Sequence, residues 1–151
     1  MDIRSIDPDA PAAQACLAAY FALLVAAIPG VTAATFVLPD PLSDSYRPPN
    51  GDFLIAGPDA APLGCVSLRP LSPGIGEVKR LWVAPAARGQ GLARHLMTAI
   101  ESRARGLGLT HLRLDTNAAL TSALTLYRAT GWREIPAYSG PPSTHWFEKT
   151  L

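Results

Sequence analysis

Glu77-Val78-Lys79-Arg80-Leu81-Trp82-Val83-Ala84-Pro85, continued through Ala86-Ala87 into Arg88-Gly89-Gln90-Gly91-Leu92-Ala93, reads as a strand, a stop and a helix start. The run Glu77–Val83 has strand character, and Pro85 ends it. Beyond the glycines, Leu92, Leu96, Ile100, Ala104 and Leu107 recur at helical spacing, which predicts one buried face on a helix from Gly91 to Leu107. On its other face Glu101 and Arg105 are expected to form an exposed i,i+4 pair, and Gly106 and Gly108 end the helix. His111–Asp115 then alternates as a strand. Strand, helix and strand in this order make a βαβ unit, whose two strands lie parallel in one sheet.

Working outward, Phe53–Ala56 and Leu63–Leu71 flank the turn Gly57-Pro58-Asp59 as a hairpin. Upstream, Ala12 to Ile28 is almost wholly apolar, with Leu17, Phe21, Leu24 and Ile28 on one helical stripe. Pro8-Asp9 is expected to open that helix and Pro29-Gly30 to close it. Pro39 to Gly51 carries four prolines and reads as a long surface loop. Downstream, Thr121–Ala129 reads as a helix ended by Gly131, followed by strands at Trp132–Tyr138 and His145–Leu151. The expected class is α/β: a single domain over residues 1–151, with a mixed sheet, an antiparallel N-terminal hairpin, a βαβ core and C-terminal strands.

Composition narrows the function. The 151 residues carry 13 Lys and Arg against 12 Asp and Glu, a formal net charge of +1. A polyanion binder would show a basic excess, so no nucleic-acid partner is expected. The apolar Ala12–Ile28 segment is short for a membrane span, and the acidic residues before it do not suit a secretory leader, so no membrane association is expected. Cys16 and Cys65 stand in no metal-ligand spacing, so no metal is expected. They read as two buried thiols in a reducing, cytoplasmic setting, with a single disulfide as the alternative.

The helix start can hold an anion. The first turn of a helix has N–H groups without partners, and its dipole makes that end electropositive. Glycines let phosphate oxygens approach the amides, and Arg88 adds a guanidinium that pairs bidentately. The dipole contributes only ~0.3–2 kcal/mol, so several amides must converge. No Lys follows Gly91, which excludes a P-loop. Arg94 stands where a dinucleotide fingerprint needs its third glycine.

Arg88, Gly91 and Ala93 match the [Q/R]xxGx[G/A] signature of the GNAT superfamily of N-acetyltransferases. The strand from Glu77 to Pro85, and Leu126-Tyr127 with Gly131-Trp132, also resemble that family's motifs in order and spacing. The resemblance covers about a third of the chain. It implies a GNAT-like fold and acetyl-CoA as cosubstrate. Arg88, Gly89, Gln90, Gly91, Leu92, Ala93 and Arg94 would then hold its diphosphate, and the backbone of Leu81, Trp82 and Val83 its pantetheine and thioester. Trp82 replaces a tyrosine common in the family. Asn117, at the end of a strand, is a further cofactor contact or a turn residue.

By the same resemblance, Glu77 is the candidate general base for the acceptor amine, or a partner of Lys79, Arg80 or a nearby loop. Tyr127 is the candidate general acid for the departing thiolate, a packing residue against the pantetheine, or both. Asp115 either faces the amine or finishes its strand. The acceptor side is expected among Tyr20, Tyr46, Arg47, Tyr138, His145 and Trp146. The implied reaction is acetyl transfer to a primary amine of a small molecule or peptide, and a homodimer is among the states the family adopts. A non-catalytic acyl-CoA-binding or sensor module on the same scaffold is the alternative, which would need neither Glu77 nor Tyr127.

Overall fold

The computed structural model describes residues 2–151. In chain order the elements are β1 (Ile3–Ser5), α1 (Pro11–Ala27), β2 (Asp52–Ala56), β3 (Gly64–Ser72), β4 (Ile75–Val83), α2 (Leu92–Gly106), β5 (His111–Thr116), α3 (Thr121–Ala129), β6 (Arg133–Ile135) and β7 (His145–Thr150). The seven strands form one sheet in the order β1-β2-β3-β4-β5-β7-β6. Only β4 and β5 run parallel, as the βαβ reading requires; every other pair is antiparallel.

Each face of the sheet is sealed by its own core. Leu54, Val66, Leu68, Val78, Leu112, Leu114 and Phe147 alternate onto one face and pack against α2 and α3. Phe53, Ile55, Cys65 and Trp82 point to the opposite face, beneath α1. Every residue of β2 is therefore buried, the pattern of a strand covered on both sides.

Several sequence expectations change here. Helix α1 begins at Pro11, which takes the first turn because its missing N–H costs nothing there; Pro8-Asp9 instead belongs to a turn in which Asp7 accepts the Asp9 amide. Strand β1 was not expected: its three residues carry too little pattern, and pairing with β2 defines it. The Trp132–Tyr138 strand shrinks to Arg133–Ile135, because only these residues find partners on β7. Leu107 leaves the helical face and is 42% exposed, since α2 has already ended. Glu101 does not pair with Arg105; it is buried and meets Lys149 Nζ from β7 at 2.8 Å. The proline-rich segment is not a merely solvated loop either. It makes a short 3-10 turn at Ser43–Tyr46, and its own Asp40, Ser43 and Tyr46 are buried.

Two irregularities set up the site. β4 and β5 share only the register positions Ile75–His111, Gly76–Leu112 and Glu77–Arg113. Beyond Glu77 they diverge, β4 staying with β3 up to Val83 and β5 with β7 up to Thr116. The second irregularity is a β-bulge. Cys65 pairs with Trp82 and Ser67 with Lys79, so Arg80 and Leu81 together face the single residue Val66. Arg80 adopts φ +62°, the one positive φ among non-glycine residues described. A bulge bends its strand and sharpens its twist, which turns β4 away from β5. The Cys65 thiol donates to the Arg80 carbonyl at 3.1 Å and the Ser67 hydroxyl to the Lys79 carbonyl at 2.8 Å, occupying acceptors near the distortion.

Candidate active site

The gap between the diverging strands opens as a groove with two ends. One end, a cavity of about 450 Å³, is walled by Leu81, Trp82 and Val83, by Arg88 to Arg94 without Gln90, and by Thr121, Ser122, Ala123 and Leu126 of α3. The other, about 330 Å³, is walled by Lys79, Arg80, Asp115, Asn117, Tyr127 and the loop Ser139–Ser143. The two share Tyr20, Leu81, Leu120 and Ala123, so they are halves of one cleft.

At the first end, Gly89 and Gly91 have φ +75° and +78°. A Cβ at either would meet no protein atom within 4 Å, so glycine is required there by the left-handed backbone rather than by space. The first bond into α2 runs from His95 N–H to the Gly91 carbonyl at 3.1 Å. The amides of Leu92, Ala93 and Arg94 therefore have no partner within the helix, and no side chain caps them. Arg88 donates from Nε to the Val83 carbonyl at 3.2 Å, which fixes its base while its head stays exposed. The Gln90 side chain turns back to the Ala86 carbonyl and does not reach the cleft wall.

At the second end, Tyr127 is 6% exposed and packs edge-on to Trp132, with ring centroids 6.0 Å apart. Its hydroxyl makes no hydrogen bond to the protein among the described residues, and burial pushes the phenol well above its ordinary value. Tyr20 is likewise pushed up to about 12, chiefly by burial. Asn117 donates to the Pro142 carbonyl at 2.6 Å and accepts the Ala119 amide at 2.8 Å, so its carboxamide stitches two loops together at the wall.

Glu77 lies behind the wall, 2% exposed. One oxygen accepts Arg69 Nε at 2.7 Å and the other the Tyr138 hydroxyl at 2.7 Å. Lys79 Nζ stands 3.5 Å from Glu77 and 3.5 Å from Asp115. Asp115 is on the wall itself. Burial pushes its carboxyl up, but Lys79 and the hydroxyls of Ser139 and Ser143 outweigh that and hold it below the usual carboxylate value.

Among the residues named for the acceptor side, Tyr20 is on the wall. Tyr46 is fully buried, Arg47 is taken up by Asp7, Asp9 and Asp44 at the surface, and the Trp146 indole donates to Ser139. His145 shares a contact with the Thr144 hydroxyl at 2.8 Å. Sequence reasoning missed the pair Asp40–Arg80. Arg80 Nε meets Asp40 Oδ2 at 2.8 Å, and Nη2 meets Oδ1 at 3.3 Å, with the aspartate side chain fully buried. The available signals were an arginine directly before the apolar strand end Leu81–Val83 and an aspartate between two prolines.

Among the described residues no group of three or more His, Cys, Asp or Glu side chains is placed to hold a metal ion. No described helix is long and apolar enough to cross a membrane.

A parallel pair splayed open beside a glycine-formed helix start, with a buried phenol further along the cleft, defines a transferase that uses an acyl-CoA. The comparisons agree. The model of the acetyltransferase (GNAT) family matches residues 27–132. An IAA acetyltransferase of Azospirillum brasilense is 35% identical over 107 residues, 68% of this chain and 70% of that one. An uncharacterised N-acetyltransferase of Schizosaccharomyces pombe is 36% identical over 99 residues, 64% and 61% of the two chains. Among solved structures, a Klebsiella pneumoniae protein assigned as an acyl-CoA N-acyltransferase superposes with a TM-score of 0.80 at 28% identity, over 99% of this chain and 97% of that one. The chain belongs to the GNAT acetyltransferase family. It is an acetyl-CoA-dependent N-acyltransferase, and the cleft is where its chemistry is to be sought.

Proposed function

We propose that the cleft binds acetyl-CoA along its length and transfers the acetyl group to a primary amine held in the 330 Å³ end. The observation that carries this reading is convergence. Nine of the twelve residues expected at the cofactor wall one cavity, and two of the others, Asn117 and Tyr127, wall its continuation. The amides of Leu92, Ala93 and Arg94, with Arg88, take the diphosphate. The edge of β4 from Leu81 to Val83, open because β5 has diverged, takes the pantetheine. Its amides are donors for the thioester oxygen, where negative charge develops as the amine attacks.

The amine must lose a proton. With a pKa near 10.4, only ~1 in 2,500 molecules of a lysine-like amine is neutral at pH 7. Glu77 acts at one remove: both its oxygens are engaged, so it serves by fixing Arg69 and Tyr138 behind the wall. Asp115 is the carboxylate that faces the incoming ammonium. Tyr127, its phenol protonated and free of protein partners, hands its proton to the departing thiolate. Residues 1–151 act as one domain, because β4 joins the N-terminal strands to β5 and the C-terminal strands in one continuous sheet. Two unpaired buried thiols fit a reducing compartment, the cytoplasm.

Calorimetry with acetyl-CoA, CoA and ATP tests the donor, and release of free CoA thiol over a panel of amines tests the transfer. ATP binding without CoA binding would sink the reading. Glu77→Gln separates the two roles of that residue. A positioning role lowers kcat about 10-fold and leaves the shape of the pH profile unchanged, whereas loss of the acid limb would mean that Glu77 takes the proton itself.

A further inference from the structure

Lys79 and Arg80 are neighbours in a strand, and regular pleating would send them to opposite faces. The bulge cancels that alternation. Upstream of it Val78 faces the α2 core, and downstream Trp82 faces the α1 core. The extra residue lets Lys79 and Arg80 both wall the acceptor end of the cleft. Two cations are thus set side by side on the wall of the cleft.

Neither cation is fully used by the protein. Lys79 has an ammonium with three donors, and its two carboxylate neighbours each stand at 3.5 Å, beyond good hydrogen-bond length. The same Glu77 oxygen receives Arg69 at 2.7 Å, so that carboxylate is already satisfied elsewhere. Arg80 spends Nε and Nη2 on Asp40, and its remaining Nη1 donates to no carboxylate among the described residues. The guanidinium is fixed, lying 5.1 Å from the Phe21 ring centroid, so a ligand would meet a preorganised donor. Across the cavity, Leu24, Ile28 and Phe36 supply an apolar wall, and Asp115 supplies an acceptor for an ammonium.

From this arrangement we infer that the acceptor is a small zwitterion: a primary amine that carries a carboxylate in the same molecule and an apolar body, as an apolar α-amino acid does. This rests on the acetyl-transfer reading and specifies its acceptor. The carboxylate docks on Lys79 and Arg80, the ammonium on Asp115, and the apolar part on Leu24, Ile28 and Phe36. The amine loses a proton to solvent, its nitrogen forms the bond to the acetyl carbon, the carbon–sulfur bond breaks, and the CoA thiolate takes up a proton. A protein N-terminus lacks the nearby carboxylate and is disfavoured.

The test compares phenylalanine, phenylalanine amide and phenethylamine as acceptors at saturating acetyl-CoA, reading thiol release. A charge-assisted contact predicts roughly 10–100-fold higher kcat/KM for phenylalanine than for phenethylamine. The amide should fall with phenethylamine. In Lys79→Met that ratio should collapse to about 3 or less; because it is a ratio, a general loss of rate does not mimic the result. Equal kcat/KM for the three, or an unchanged ratio in Lys79→Met, overturns the inference and leaves acetyl transfer standing. A second measurement needs no turnover: calorimetry of N-acetylphenylalanine against N-acetylphenethylamine on the CoA-loaded protein. Tighter binding of the carboxylate compound, lost in Lys79→Met, supports the anion subsite even if no acceptor reacts, and equal binding overturns it. Failure of every amine to react would count against the proposed function alone.

Discussion

Replacing Asp40 by Asn tests whether the ion pair with Arg80 holds the bulge. The aspartate side chain is fully buried, and it accepts Arg80 Nε at 2.8 Å, Nη2 at 3.3 Å, the Tyr46 hydroxyl at 3.3 Å and the Leu42 amide at 2.9 Å. Asparagine keeps the shape and can still accept from Leu42, but it sets an NH₂ against a guanidinium that has only donors. Removing one partner of a buried pair costs about 3–5 kcal/mol, because the other charge is left uncompensated. The left-handed backbone at Arg80 carries ~1–2 kcal/mol of strain in wild type and variant alike, so it adds nothing to that difference. For a chain of this size the melting temperature should fall by roughly 6–20 °C. Equilibrium urea unfolding at pH 7, followed by tryptophan fluorescence, measures the loss directly.

The sign with pH is fixed. Burial pushes the Asp40 carboxyl up, but Arg80 more than offsets this and its folded value lies below the ordinary one. The stability it contributes is therefore fully present above the unfolded value of about 3.9 and is lost as pH falls through the folded value. The gap between wild type and Asp40→Asn should hold from pH 7 down to about 4 and narrow below that. A variant less than ~1 kcal/mol weaker at pH 7 would refute the reasoning, as would a gap that stayed constant in acid. The double variant with Arg80→Met should recover most of the loss, since replacing both members of a buried pair is often close to neutral.

Tyr127→Phe should lower kcat by about 10²-fold or more, with little change in the acetyl-CoA KM or in stability, because the hydroxyl has no protein partner to lose; a raised KM with intact kcat would mean that the ring only packs. Gly91→Ala should destabilise by about 1–2 kcal/mol through its φ of +78° and weaken CoA binding in calorimetry, whereas Gly106→Ala, inside α2 and clear of other atoms, should be neutral or stabilising. Glu101→Gln should cost stability in urea titrations through the buried contact with Lys149 and leave both kinetic constants unchanged, since it lies outside the cleft.

Much of the glycine-rich end of the cleft was legible because its logic is local. A proline that stops a strand, two glycines and a helical period specify a helix start with free amides whatever surrounds them. The βαβ order then makes the strands parallel and brings Tyr127, on α3, round to the same cleft. Other parts lacked a local signal. Strand β1 exists only as a partner of β2, and the burial of Glu101 reflects the return of β7 and its Lys149.

The other end of the cleft was illegible for a related reason. Sequence alone determined an α/β chain with a βαβ core and a glycine-formed helix start, all written in spacing along the chain. Tertiary structure decided that Lys79 and Arg80 share a face, because a single extra residue against Val66 reverses the side-chain alternation of β4. It also decided that Glu77 sits behind the wall while Asp115 lies on it. Those placements depend on register and strand divergence, and hydrogen bonds between residues as far apart as Asp40 and Arg80 set them.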